Sequence, residues 1–206
     1  MTLVLWFGFL LAAILIAVTP GPGAVLSMSV GVRHGYFPAL KAIFGLQAAI
    51  LTHLVIVALG LGAILAASDT AFAVTKLVGA AYLVWLGVHK WRAPAAADPA
   101  TLVTLRPENL FAQGLLVNLT NPKAIIFVGA LVPQFIDATQ PIFVQYLIIA
   151  ATLCATDILV MSAYALAAVK IARWLYRPAS ARLQNRIFGG FFVVAGVFLA
   201  NASRPG

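Results

Sequence analysis

Two long apolar stretches of the chain are each interrupted by a polar segment that contains proline. Thr19-Pro20-Gly21-Pro22 interrupts the first stretch, and Asn118-Leu119-Thr120-Asn121-Pro122-Lys123 interrupts the fourth. Proline removes a backbone donor and clashes with the preceding turn, so a continuous helix is not expected at either place. Unpaired peptide groups are costly in hydrocarbon, so such breaks persist only where protein or a watery cavity surrounds them. The two breaks therefore predict a ligand site between broken membrane helices.

The composition of the chain is typical of a membrane protein. Of its 206 residues, 63% are hydrophobic and 9% are charged, whereas a soluble domain carries roughly 25% charged residues. The apolar stretches are continuous rather than alternating, which favours helices over a barrel and makes the lipid bilayer a partner. The net charge is +8, and the basic residues fall between the apolar stretches. There they orient the protein in the membrane, so no nucleic-acid partner is expected. The single cysteine excludes an intrachain disulfide.

Six apolar stretches are long enough to cross a hydrocarbon core of about 30 Å at about 1.5 Å per residue. No Lys or Arg precedes Arg33, so a secretory signal is not expected, and the first stretch is predicted to be a retained, broken helix. The stretches predict an all-α polytopic membrane protein, with residues 1–206 as a single transporter domain. They lie near residues 3–28, 38–66, 71–90, 110–132, 143–170 and 185–202.

The positive residues are distributed unevenly between the two sides of the predicted spans. Only Lys76 and Arg204 fall on one side, and Lys123 lies within a span. Positive residues concentrate in cytoplasmic loops, so the basic connections are predicted to be cytoplasmic and both termini outside a bacterial inner membrane. The basic residues of the predicted cytoplasmic side are Arg33, Lys41, Lys90, Arg92, Arg106, Lys170, Arg173, Arg177, Arg182 and Arg186.

The six predicted spans divide into two halves of three. Residues 1–92 form the first half, residues 93–108 form a cytoplasmic linker rich in Ala and Pro, and residues 109–206 form the second half. Because each half has three spans, the second half enters the membrane in the opposite sense. The expected architecture is therefore two inverted three-helix repeats, with helices 1 and 4 broken.

Faint internal similarity accompanies this division. An offset of 110 residues aligns Gln47 in the second span with Asp157 in the fifth, and both are polar residues in the middle of apolar stretches. The prolines of the two breaks, Pro20 and Pro122, are 102 residues apart, so the alignment needs a gap. The repeat argument predicts that Gln47 faces the site opposite Asp157; the alternative is a structural hydrogen bond.

The segment after the first break is predicted to begin a half-helix. The peptide N–H groups of Gly23, Ala24 and Val25 would open it, and a helix N-terminus offers free donors and partial positive charge to a carboxylate. Glycine lets a ligand approach the backbone closely. The alternative is a proline kink that only eases helix packing.

Polar side chains of the second break and the fifth span are further candidates. Lys123 would bind a substrate carboxylate, pair with Asp157, or extend to the membrane interface. Asn118 and Asn121 would contact the substrate or cap the broken helix ends. Asp157 is the one acidic residue well inside an apolar stretch, and it would take up a proton, bind a substrate ammonium, or form a structural hydrogen bond. His53 would relay protons or pack within the protein.

The histidines lack metal-ligand spacing, so neither a metal nor a cofactor is expected, and no catalytic residue is assigned. Asp157 is the predicted proton-coupling residue. The predicted substrate-binding residues are Pro20, Gly21, Pro22, Gly23, Gln47, Asn118, Asn121, Pro122 and Lys123.

Several motifs resemble the LysE/RhtB family of amino-acid exporters over nearly the whole chain. They are Thr19-Pro-Gly-Pro22, Val117-Asn-Leu-Thr-Asn-Pro-Lys-Ala124, Pro133-Gln-Phe135 and Ala81-Tyr-Leu-Val-Trp-Leu-Gly87. The segments from Arg33 to Gln47 and from Asp157 to Met161 look most like the homoserine and homoserine-lactone branch.

The resemblance implies a secondary active exporter of a small amino acid or derivative, such as homoserine, its lactone or threonine. Together with the buried carboxylate, it leads us to expect proton antiport by alternating access. A passive channel and a membrane-embedded enzyme are the alternatives. Oligomeric state stays open, including a homo-oligomer.

Overall fold

The structure is a computed structural model that describes residues 1–67, 109–137, 139–168 and 178–201, with scattered positions between 74 and 92. These residues are helical apart from short breaks and turns, and no strand occurs among them. The all-α expectation is confirmed for this part of the chain. The predicted linker lies outside the described residues.

Seven helices can be assigned to these ranges. A π-helical turn (Phe127–Leu131) and a 3₁₀ turn (Val132–Phe135) extend the fifth helix. The helices are α1 (Leu3–Val18), α2 (Pro22–His34), α3 (Tyr36–Ala67), α4 (Leu110–Leu119), α5 (Pro122–Ile126), α6 (Ile142–Leu166) and α7 (Pro178–Asn201).

Both predicted breaks are present, and each bends its apolar segment sharply. The axes of α1 and α2 differ by 55°, and α4 and the segment after it by 56°. Pro22 and Pro122 each stand at the start of the second helix of a pair, where the missing N–H of proline costs no intrahelical bond. The prolines thus begin new helices rather than kink continuous ones.

Two single helices in the described residues are long and apolar enough to cross a membrane. They are Tyr36–Gly60 and Ile142–Leu166. The count rises to four if each bent pair is one span. The described residues therefore support an apolar helical membrane protein with two to four candidate spans. The predicted third span, near 71–90, is described only at scattered positions.

Close helix crossings bring the two breaks together. A Cβ atom added to Gly45 of α3 would collide with the carbonyl oxygen of Phe111 in α4, and one added to Gly114 would collide with that of Ala42. A Cβ atom on Gly31 of α2 would likewise meet the backbone of α6. Glycine at each crossing lets backbones touch, so α3 and α6 flank the breaks.

Candidate functional site

A cavity of about 50 Å³ lies between the two breaks. That volume admits several water molecules at about 10–15 Å³ each. Two of its lining residues, Lys123 and Asp157, are ionisable, and most of the others are apolar. The lining consists of Ala13, Ile16, Ala17, Gly21, Gly23, Ala24, Leu46, Ile50, Asn118, Asn121, Lys123, Ala124, Phe127, Val128, Leu153, Asp157 and Met161.

Gln47 donates a hydrogen bond to the carboxylate of Asp157 from outside the cavity. The Nε2 atom of Gln47 donates to Oδ2 of Asp157 at 2.7 Å and to the carbonyl oxygen of Ile43 at 3.3 Å. Gln47 is buried and does not line the cavity itself. The structure thus brings together the two residues that the offset of 110 aligns, with Gln47 orienting the carboxylate that faces the cavity.

The carbonyl groups at the end of α1 are bound by side chains from the second half of the chain. Nζ of Lys123 donates to the carbonyl oxygen of Thr19 at 2.5 Å. The hydroxyl of Tyr164 donates to the carbonyl oxygen of Val18 at 2.6 Å. A helix C-terminus carries partial negative charge and unpaired carbonyls. An ammonium and a phenol therefore satisfy the break where lipid could not.

The two asparagines of the second break form a chain of hydrogen bonds. Nδ2 of Asn118 donates to the carbonyl oxygen of Leu46 at 2.9 Å, and Nδ2 of Asn121 donates to Oδ1 of Asn118 at 3.0 Å. Oδ1 of Asn121 accepts from the backbone N–H of Lys123 at 3.1 Å. Asn121 therefore caps α5, and both side chains also line the cavity.

The N-terminus of α2 differs from that of α5. Gly21 occupies the N-cap position in an extended conformation and supplies no side-chain acceptor. Gly21, Gly23 and Ala24 all line the cavity, so backbone donors of the first turn border it. The expectation is wrong for Val25, whose N–H donates to the carbonyl oxygen of Gly21 at 3.0 Å as the first bond of the helix. A Cβ atom on Gly21 would lie 3.5 Å from Nζ of Lys123, which places the lysine beside this helix end.

The remaining predicted residues lie at or near the breaks. Pro20, Pro22 and Pro122 shape the breaks and do not line the cavity. His53 is buried, and its Nε2 atom lies 3.3 Å from the carbonyl oxygen of Leu119, at the end of α4.

The role of Tyr164 at the first break was not predicted. Its position in an apolar stretch gave no local signal, because its partner is a backbone carbonyl on a distant helix.

No group of three or more His, Cys, Asp or Glu side chains suited to a metal ion occurs among the described residues. The polar groups at the cavity are instead one carboxyl group, one amine, two amides and backbone N–H groups. Such a set complements a small ligand that carries both charge and an apolar part.

The family profile described as LysE type translocator matches residues 14–203. The chain belongs to this family. The match covers both breaks and every residue of the cavity except Ala13, so the resemblance inferred from the motifs is confirmed.

Individual relatives of this LysE-type chain include efflux proteins. A homoserine/homoserine lactone efflux protein of Salmonella typhimurium is 43% identical over 98% of both chains. An uncharacterized membrane protein of Vibrio cholerae is 41% identical over 96% of this chain and 97% of its own. A leucine efflux protein of Enterobacter is 27% identical over 94% of this chain and 93% of its own. No solved structure matches the chain.

Proposed function

We propose that this protein exports a small amino acid or derivative, such as homoserine, homoserine lactone or threonine, across the bacterial inner membrane in exchange for protons. The observation that carries the proposal is the carboxylate of Asp157, which faces a cavity between two broken helices. An ionisable group inside a membrane-spanning segment is costly, and such groups mark the pathways of substrates and protons. The names of the efflux relatives give the substrate class.

The proposed architecture has six spans in two inverted repeats, residues 1–92 and 109–206, joined by residues 93–108. The contact between Gln47 and Asp157 supports it, because the two residues are 110 apart and occupy aligned positions. Residues at equivalent positions of two repeats touch each other only where the pseudo-two-fold axis passes between them. The axis would run through this hydrogen bond.

A second pair supports the same axis. Gly21 and Lys123 are 102 residues apart, the same separation as the prolines of the two breaks. They are neighbours across the cavity, since a Cβ atom on Gly21 would lie 3.5 Å from Nζ of Lys123. The absence of a side chain at Gly21 leaves room for the long side chain of Lys123.

The proposed orientation places the basic connections in the cytoplasm and both termini outside, in accordance with the positive-inside rule. Substrate would enter the cavity from the cytoplasm. Its carbonyl end would face the first turn of α2 and Lys123, and Asp157 would couple its release to uptake of a proton. Rocking of one repeat against the other would then expose the cavity alternately to the two sides.

The proposed substrate contacts divide by type. Gly21 and Gly23 would offer backbone close to the ligand, whereas Lys123 and the amides of Asn118 and Asn121 would supply side-chain donors. The other four predicted residues would act indirectly. Gln47 would act through Asp157, and Pro20, Pro22 and Pro122 would act by shaping the breaks.

Transport by the purified full chain in proteoliposomes tests the proposal. We expect an imposed pH gradient to drive accumulation of labelled homoserine or threonine, with less accumulation of labelled lysine. Asp157→Asn should abolish the gradient-driven component. Asp137→Asn is the matched control, because Asp137 lies in the loop before α6 and not in the cavity.

Two results would contradict the proposal. Equal, gradient-independent flux of all three compounds would indicate a passive channel. Unchanged gradient-driven export by Asp157→Asn would remove this residue from the coupling step.

A further inference from the structure

The carboxylate of Asp157 is positioned to accept donors from a ligand. Gln47 donates to Oδ2, and a carboxylate accepts about four hydrogen bonds in all. Asp157 lines the cavity, whereas Gln47 does not. The amide thus fixes the carboxylate from the protein side and leaves acceptor capacity on the cavity side. An ammonium group, with three donors, matches this capacity.

The side-chain donors of the two breaks that line the cavity each make a hydrogen bond within the protein. Nζ of Lys123 donates to the carbonyl oxygen of Thr19, and the backbone N–H of Lys123 donates to Asn121. An ammonium has three donors, so Lys123 can keep its bond to Thr19 and still donate to a substrate oxygen. A neutral carbonyl oxygen accepts such a bond as a carboxylate oxygen does.

The backbone N–H groups of Gly23 and Ala24 lie in the first turn of α2, where the N-cap residue Gly21 has no side chain to cap them. A peptide N–H bonds the oxygen of a neutral carbonyl as well as that of a carboxylate. An acid, an amide and a lactone all present such an oxygen next to the α-carbon. This end of the site therefore does not by itself demand a negative charge.

From these contacts we infer that the site recognises α-amino carbonyl compounds through their ammonium group, bound by Asp157, and does not require a free carboxylate. The inference rests on the proposed function. It accounts for how one site could serve both compounds in the name of the Salmonella relative, homoserine and homoserine lactone. Those two compounds share the α-amino group and the carbonyl, but the lactone has no carboxylate.

The same assignment gives a physical basis for exchange with protons. A proton on Asp157 removes the negative charge that binds the ammonium, so proton and substrate occupy the carboxylate in turn. Binding of one promotes release of the other, which is the requirement of antiport. No separate proton site is then needed.

Ligand competition in proteoliposomes tests the inference with the unaltered full chain. The probe is gradient-driven transport of labelled homoserine, in mildly acidic buffer where amines are protonated. The competitors are homoserine amide, which keeps the ammonium and has no carboxylate, and N-acetylhomoserine, which keeps the carboxylate and has no ammonium. We expect homoserine amide to inhibit within about threefold of unlabelled homoserine. N-acetylhomoserine should inhibit roughly 30-fold more weakly, because its neutral amide nitrogen cannot form the charged pair with Asp157.

The opposite order of the two competitors would overturn the inference. Strong inhibition by N-acetylhomoserine and none by homoserine amide would show that the carboxylate is the recognised group, while the labelled homoserine flux still supported the proposed exporter. Lack of any gradient-driven homoserine flux would instead overturn the proposed function, and the inference with it.

Discussion

At the scale of single residues, the site depends on how Gln47 holds Asp157. A hydrogen bond to a charged group contributes about 1.5–3 kcal/mol, and Gln47 donates one to Oδ2 of Asp157 from a buried position. We expect Gln47→Leu to lower gradient-driven transport roughly tenfold or more, since about 1.4 kcal/mol corresponds to a factor of ten. The measurement is the initial rate in proteoliposomes.

Thr52→Val is the control on the same helix. Thr52 is exposed, and its hydroxyl bonds the carbonyl oxygen of Ala48 within α3, so this variant should transport at close to the unaltered rate. Equal rates for Gln47→Leu and the unaltered chain would show that Asp157 needs no orienting partner.

The sequence predicted some residue roles and left others open. The offset of 110 placed Gln47 opposite Asp157, and the two are hydrogen-bonded. For Lys123 the pattern allowed several partners, because a long flexible side chain can reach any acceptor near the break. Its partner, the carbonyl of Thr19, depends on the bend of a different helix. The hydrogen bond from the hydroxyl of Tyr164 to the carbonyl oxygen of Val18 also depends on the bend of a different helix.

At the scale of helices, the crossing of α3 and α4 holds the first helix of the second break tightly against α3. A Cβ atom on Gly45 would overlap the backbone of Phe111, and backbone cannot move aside as a side chain can. We expect Gly45→Ala to separate the helices and to lower the midpoint of thermal unfolding in detergent by several degrees, with a loss of transport. Overpacking of this kind typically costs about 1–3 kcal/mol.

Gly60→Ala is the matched control for this crossing. Gly60 lies on the same helix, and an added Cβ atom there would meet no atom within 4 Å. Alanine in a helix is about 0.5–1 kcal/mol more favourable than glycine, so this variant should be as stable as the unaltered chain or slightly more so. A similar loss of stability in both variants would mean that the crossing is not the tight contact.

The turn before α6 gives a prediction about pH. Thr139 donates to Oδ1 of Asp137 from its hydroxyl at 2.6 Å and from its backbone N–H at 3.0 Å, and these bonds lower the pKa of Asp137 below its ordinary value of 3.8. A carboxyl whose pKa is depressed in the folded state stabilises it above the unfolded pKa. This contribution is lost as the pH falls through the folded value.

We expect Thr139→Val to raise the pKa of Asp137 towards 3.8, because the larger of the two contributions is the hydroxyl bond. Thr139→Ser, which keeps a hydroxyl, should leave the pKa low. The titration can be followed by carbon NMR, since the chain has only five acidic residues and Asp137→Asn identifies the signal. An unchanged pKa in Thr139→Val would assign the shift to the backbone donor alone.

The breaks themselves were the most predictable elements, because proline acts through local chain geometry. Capping was less predictable. Asn121 was expected either to contact substrate or to cap a helix end, and its Oδ1 caps α5 while the residue also lines the cavity. Either role of Asn121 can be read from the local sequence. Which atom of its side chain faces the cavity depends on how the residue packs against α4. The π-helical turn at Phe127–Leu131 had no recognisable sequence signal.

At the scale of the whole molecule, the central hypothesis is that the two halves are inverted. Gln47 contacts Asp157, and Gly21 lies beside Lys123; under this hypothesis each pair would join equivalent positions across one axis. If that axis lies in the membrane plane, the ends of the two broken spans must emerge on opposite sides. Arg33, near the end of α2, would face the cytoplasm, and Thr139, beyond the second broken span, would face the outside.

Accessibility of introduced cysteines tests this arrangement. Both Arg33 and Thr139 are exposed, and Cys154→Ser removes the one native thiol, so each site can be labelled alone with a membrane-impermeant maleimide. We expect Thr139→Cys to react in intact spheroplasts and Arg33→Cys to react only after the membrane is opened. Labelling of both from the same side would mean that the spans between them are even in number, and the halves would then be parallel. Opposite labelling requires an odd number of spans between the two sites, as three-helix inverted halves demand.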